Sequence, residues 1–250
     1  MLMAGLRIAA AQSHSVTGAI DANVARHCVF IDAAVKAGVQ LLVFPELSIT
    51  GYDLPGLAAA ALAPDDARLA PISSRAVAHN MTIVAGAPLR HAGGLPFIGA
   101  IAFHPDGRST SYRKHFLYDG EELFAAPGSA MSQIIDVRGV PVALAVCNDT
   151  SQQQHPHAAV IAGATLYVAS SVIVPQGYAN QSNLLSGYAK LFSLGILLAN
   201  HAFETGGYQS AGGSAIWWPD GQLLVAAPGP GECLVIGDED SGSVLPISTS

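Results

Sequence analysis

Short apolar runs of strand length recur along this chain, and each gives way to a polar loop. They are VQLLVF (39–44), TIVAGAP (82–88), VPVALAV (140–146), TLYVASSVIV (165–174) and ILLANHAF (196–203). A continuous apolar run has no solvent-facing side, so these strands belong in sheets covered by helices. Helical patterns do alternate with them. Over residues 20–37 the apolar positions Ile20, Val24, Cys28, Ile31 and Val35 step by four, four, three and four, which places them on one face, with Gly38 as the stop. That periodicity makes Cys28 a core residue. Further helices are expected from Asp65 or Asp66, a natural N-cap, to about residue 79, over 157–164 and over 183–195. LRIAAA (6–11) reads as a first strand, two strand pairs read as hairpins, 98–103 with 109–115 and a pair within 214–227 around Pro219-Asp220-Gly221, and 132–137 with 140–146 read as a further strand pair around Arg138-Gly139. Alternation together with hairpins predicts mixed sheets under helices, an α/β fold.

Composition narrows the function classes. Half of the 250 residues are hydrophobic and only 12% are charged, which leaves much of the chain for burial, part of it at an interface between copies. The length suits a single domain over residues 1–250, and no linker or repeat divides it. A net charge of −7, with eleven Lys and Arg scattered without a basic run, gives no footprint for nucleic acid. The N-terminal run MLMAGLRIAAAQS is too short, and too soon interrupted at Gln12 and Ser13, for a signal peptide or a membrane span. A cytoplasmic protein is expected. Cys28, Cys147 and Cys233 are far apart and odd in number, with no CxxC, so neither a disulfide framework nor a zinc cluster is suggested.

Three residues stand where an apolar strand ends: Glu46 after LLVFP, Lys114 after SYR and Cys147 after ALAV. Loops at strand ends carry catalysis because the scaffold holds them rigidly. A thiol, a carboxylate and an ammonium form a coherent set for acyl transfer: the ammonium favours the thiolate and the carboxylate takes the proton. The ammonium and the Asn148 N–H can also stabilise an oxyanion. Singly, each has a plainer reading: an inert buried thiol, a loop cap and an ion-pair partner. Spacing alone leaves open whether the three meet.

FPELSITGY (44–52), YRKHFL (112–117) and AVCND (145–149) resemble, in order and with similar separations, the three signature segments of the nitrilase superfamily of carbon–nitrogen hydrolases. GSAIWWPDGQLL (213–224) resembles that family's late hairpin, and LAN (198–200) also fits. The resemblance implies a four-layer αββα sandwich, a dimer or higher homo-oligomer, and no metal or other cofactor. It implies Glu46 as general base, Lys114 as oxyanion-stabilising cation and Cys147 as nucleophile, with Asn148, Asp149 and Tyr52 around the substrate or oxyanion. A second glutamate is expected before Pro127-Gly128 in GEELFAAPG (120–128), and counting back favours Glu121 over Glu122.

Cys147-Asn148-Asp149 sides with the amidases of that family, whereas true nitrilases carry Cys-Trp-Glu. The Arg-Phe-Pro-Glu-like run that often follows is replaced by TSQQQHP, and no arginine occurs after Arg138. A small neutral amide is therefore the expected substrate. A nitrile is the alternative within the class, and a catalytically silent binder of a metabolite or partner protein is the alternative outside it. Asp149 has a second reading as a cap of the following turn. His155 and His157 flank Pro156 with no third ligand fixed by spacing, so a satisfied or exposed pair is expected rather than a metal site. Trp217-Trp218 reads as core packing or a subunit contact.

Overall fold

Alternation along the strands sorts the buried side chains into three cores, and three cores require four layers. The structure, a computed structural model, describes residues 5–248; residues 1–4, which open the apolar N-terminal run, and 249–250 lie outside the described residues. The first half of the chain runs β1 (Ile8–Gln12), α1 (Ile20–Lys36), β2 (Leu41–Val43), α2 (Ala70–Ala78), β3 (Thr82–Leu89), β4 (Phe97–Phe103) and β5 (Ser109–Arg113). The second runs β6 (Ile134–Val137), β7 (Val140–Val146), α3 (Gln154–Ile161), β8 (Leu166–Ser171), α4 (Pro175–Phe192), β9 (Gly195–Asn200), β10 (Ala215–Trp217) and β11 (Leu223–Ala226). A last hairpin, β12 (Cys233–Gly237) and β13 (Gly242–Pro246), closes the chain.

One sheet has the order β13-β12-β1-β2-β3-β4-β5 and the other β11-β10-β9-β8-β7-β6. Ile8 and Ala10 of β1, Leu41 and Val43 of β2, and Val142, Leu144 and Val146 of β7 share the core between the sheets. Their neighbours Ala9, Ala11 and Leu42 face outward into a second core under α1 and α2, with Phe30, Ile31 and Ile72. Ala143 and Ala145 face a third core under α3 and α4, with Ala159, Leu185 and Tyr188. The result is the αββα sandwich. It also explains the continuous apolar runs: each central strand is buried on both faces.

The sheets are mixed, as expected. β1, β2 and β3 run parallel, as do β7, β8 and β9, while the remaining pairs are antiparallel. The C-terminal ends of β2, β7, β8 and β9 lead into the loops that matter below.

Two helices differ from the sequence expectation. α4 begins at Pro175 rather than near residue 183. Val174 is extended, as a residue before proline prefers, and Pro175 occupies the first helical position, where its missing N–H is not needed. Gly177 and Asn180 weaken the helical pattern over those turns, which hides them from periodicity. α3 begins at Gln154, three residues early, with Pro156 tolerated in its first turn. Asp66 caps as expected, accepting from the Arg68 N–H at 3.1 Å, but it starts a 3₁₀ turn that runs into α2. Trp217 is buried in the third core, and Trp218 packs against the core between the sheets.

Candidate active site

Glu46 follows β2 on a loop that crosses close over β3. A side chain at Gly86 of β3 would overlap the Pro45 carbonyl and the Leu47 N–H, so the crossing needs glycine there. Leu47 takes φ 51°, a left-handed conformation that costs a non-glycine residue energy and is held here by surrounding bonds. Ser48 Oγ accepts from the Gly86 N–H at 3.2 Å and pairs with His27 Nε2 at 2.9 Å. His201, just past β9, donates from Nε2 to the Glu46 carbonyl at 2.7 Å. Burial lowers both His27 and His201 to about 4, so the imidazoles supporting this loop are neutral.

Lys114 follows β5 and is completely buried. Its Nζ donates to Glu46 Oε1 and to Glu121 Oε1, each at 2.7 Å, which leaves one ammonium hydrogen. Glu121 Oε1 also accepts from the Tyr52 hydroxyl at 2.7 Å, and its Oε2 accepts from the Tyr118 N–H at 2.8 Å. Glu122 instead faces outward and bonds the Gly120 N–H. Burial works to lower the Lys114 pKa, but the Glu46 and Glu121 carboxylates outweigh it and raise it, so the ammonium is permanent. Glu46 is raised to about 7 by burial, against the pull of Lys114. Its Oε2 has no hydrogen-bond partner among the described residues.

Cys147 follows β7 directly, with φ 45°, again left-handed, and opens a short 3₁₀ segment. A thiol at such a sharp turn stands clear of the strand; its Sγ is 3.8 Å from the Val172 carbonyl. Burial, then the charge of Glu46, raises the Cys147 pKa, so the resting sulfur is a thiol that needs a base. Asn148 fixes its side chain by donating to the Leu117 carbonyl at 2.9 Å. Its N–H lies in the first turn, where leading N–H groups have no partner within the segment.

Asp149 ties the cysteine turn to the lysine loop. Its Oδ1 accepts from the His115 and Phe116 N–H groups at 3.1 and 2.8 Å, and its Oδ2 from the Val146 N–H at 2.9 Å and the Tyr112 hydroxyl at 2.7 Å. Tyr112 has one hydrogen to give, so its 2.8 Å contact with His155 Nε2 runs from the imidazole. His155 Nδ1 then accepts from Tyr167 at 2.8 Å. Burial lowers the His155 pKa, in keeping with a neutral ring in this chain of bonds.

A cavity of about 240 Å³ opens onto Cys147 and Glu46. Tyr52, Tyr118 and Tyr208 line it with Asn148, Thr150, Ser171, Val172, Ile173 and Gln181. Among the described residues no cluster of three His, Cys, Asp or Glu is placed to hold a metal ion. The arrangement suits attack by a thiol on a carbonyl beside a fixed cation.

The sequence profile of the carbon-nitrogen hydrolases matches residues 7–246. The chain belongs to the carbon-nitrogen hydrolase family. This hydrolase is 30% identical over 213 residues to a glutamine-dependent NAD(+) synthetase of Xylella fastidiosa, a match covering 80% of the chain and 36% of the synthetase. It thus spans little more than a third of that relative's length. Among solved structures it superposes on a cysteine-to-serine variant of the Nesterenkonia AN1 amidase from the nitrilase superfamily with a TM-score of 0.86 at 25% identity, covering 94% of the chain and 91% of the amidase. A further structure of that amidase, with a TM-score of 0.86, 25% identity and coverage of 93% and 92%, has acrylamide added at its active site cysteine.

The fold of the hydrolase brings Glu46, Lys114, Glu121, Tyr52 and Cys147 together, with Asn148 at the cavity wall. Asp149 is behind the wall, its oxygens occupied by the four donors above, and does not line the cavity. Thr150 and Ser151 line it, but residues 152–157 turn away into α3. His155 is the satisfied core histidine of the expected pair; His157 is exposed and stacks on Phe192. Sequence reasoning missed Tyr118, Tyr208 and Ser171, whose loops carry no local pattern that predicts a common wall.

Proposed function

We propose that this hydrolase cleaves a small neutral amide to an acid and ammonia or an amine, through a thioester on Cys147. The observation that carries the reading is Glu46 Oε2, the one oxygen of the two carboxylates with no hydrogen-bond partner among the described residues, on a side chain that lines the same cavity as the thiol. With a pKa near 7, Glu46 accepts the Cys147 proton at neutral pH. The thiolate attacks the amide carbon, and the third Lys114 hydrogen with the Asn148 N–H receives the developing oxyanion. Glu46 returns the proton to the departing nitrogen as the C–N bond breaks. Water then gives a proton to Glu46 and attacks the thioester, and the thiolate leaves to be reprotonated.

Glu121 is a positioning residue in this scheme. Its oxygens are occupied by Lys114, Tyr52 and Tyr118, which supports Glu46 as the base in both half-reactions. Lys114 and both carboxylates are fully buried, so the field at the carbonyl is set before substrate arrives.

In this reading the chain acts as one catalytic unit in the cytoplasm, a reducing compartment that suits its three free cysteines. The hydrolase pairs as a homodimer through the α3 and α4 face, where Ile161 and Leu191 are exposed. Ammonia release from a panel of primary amides tests the activity: the wild type turns over at least one, and Cys147→Ala turns over none while keeping its circular dichroism. Undiminished turnover by that variant contradicts the reading.

A further inference from the structure

Thr150 Oγ1 donates to the Cys147 carbonyl at 2.6 Å, which uses its single hydroxyl hydrogen. The 2.6 Å contact between Thr150 and the Gln181 carboxamide must therefore run from Gln181 Nε2 to Thr150. That fixes the polarity of the amide and turns Gln181 Oε1 away from Thr150. No donor among the described residues reaches Oε1, which keeps some solvent access on a side chain that lines the cavity.

The rest of the wall indicates what such an acceptor meets. Among the described residues no Lys, Arg or His lines the cavity, and the Lys114 ammonium behind it is already matched by two carboxylates, so an anionic acyl group finds no free counter-charge. Val172, Ile173 and Val174 form an apolar side. Ser171 Oγ is buried, on a residue of the wall, and has no partner among the described residues. A substrate that fills the cavity strips such an acceptor of water, and one that offers no donor in return leaves it unpaired at a cost, which discriminates against analogues lacking the donor.

We propose that Gln181 is a specificity-determining residue: its Oε1, oriented by Thr150, accepts a hydrogen bond from an O–H or N–H on the acyl part of the substrate. The preferred amides are then neutral and carry such a donor near the scissile carbonyl. The inference rests on the amidase reading above.

The test compares kcat/KM for propionamide, 2-hydroxypropanamide, 3-hydroxypropanamide and succinamate, using wild type, Gln181→Leu, Thr150→Val and Thr150→Ser. In the wild type one of the two hydroxyamides exceeds propionamide by about tenfold and the carboxylate-bearing amide is the poorest. Gln181→Leu brings the hydroxyamide-to-propionamide ratio toward one, whatever loss the substrates share. Thr150→Ser keeps the ratio and Thr150→Val lowers it, which decides the matter should Gln181→Leu fail to fold. Propionamide turnover with no hydroxyamide preference, or a preference that survives these losses, overturns the assignment and leaves the amidase reading standing. Failure of the wild type on every amide overturns both.

Discussion

Lys114 Nζ sits 2.7 Å from Glu46 Oε1, with neither side chain reaching solvent. Glu121 meets the same ammonium at the same distance from the other side. One cation therefore separates two buried carboxylates. Lys114→Met leaves them facing each other unpaired, a loss of about 3–5 kcal/mol in stability by urea unfolding. Turnover falls by about a thousandfold or more, because the oxyanion loses its cation. Glu121→Gln can still accept from Lys114 and Tyr52, so its loss in kcat is smaller, on the order of ten- to a hundredfold. Equal losses for the two variants contradict the division of roles.

The pH dependence of kcat/KM follows from Glu46. A base must be ionised to accept the thiol proton, and its pKa is about 7. Activity rises about tenfold per pH unit below that value and levels above it. Glu46→Gln abolishes the limb along with the activity. A limb centred near the ordinary carboxylate value places the base elsewhere.

Stability and pH are linked through the buried histidines behind the Glu46 loop. His27 and His201 have folded values of about 4 against an ordinary 6.5, so between these values the unfolded chain binds protons that the folded chain refuses. Stability is therefore full above pH 6.5 and is lost as pH falls toward 4. Glu46, raised from 4.5 to about 7, acts in the opposite sense, since the folded chain holds its proton longer. Urea unfolding at pH 7 and pH 5 separates the two: His201→Gln lessens the drop on acidification, and Glu46→Gln deepens it. The same drop in all three proteins contradicts the assignment.

Tyr112→Phe removes the hydroxyl that joins Asp149 to His155. Two buried polar groups lose a partner, which costs about 1–3 kcal/mol in urea unfolding. Asp149 also fixes the turn at Cys147 and the N–H groups after Lys114, so kcat falls by more than KM rises. A rise in KM with kcat unchanged places Tyr112 in substrate binding instead.

The layered fold was legible because the central strands are buried on both faces, and a run such as VPVALAV leaves periodicity little ambiguity. The three signature segments were legible as a resemblance, since each is a contiguous string that ends a strand. What spacing did not carry was the geometry around them. The first turns of α4 are disguised by Pro175, Gly177 and Asn180, so Gln181 read as loop although it is on a helix at the cavity wall. The TSQQQHP stretch stands out in the sequence because it replaces the run that often follows the cysteine in the family. In the structure only Thr150 and Ser151 of it reach the cavity, and His155 satisfies a network whose members come from β5, β8 and α3. Long-range hydrogen bonds of this kind leave no local pattern. The final hairpin of β12 and β13 also went unread: β13 is largely exposed and offers no apolar run.

Covalent attachment of the acyl group to Cys147 is the centre of this account, and intact-protein mass spectrometry of acid-quenched reactions with a slowly deacylating amide measures it. The predicted result is a mass increase equal to the acyl group, located by peptide mapping on Cys147, absent from Cys147→Ala and decaying as the acid is released. An adduct on another residue, or turnover by the alanine variant at the wild-type rate, would contradict it.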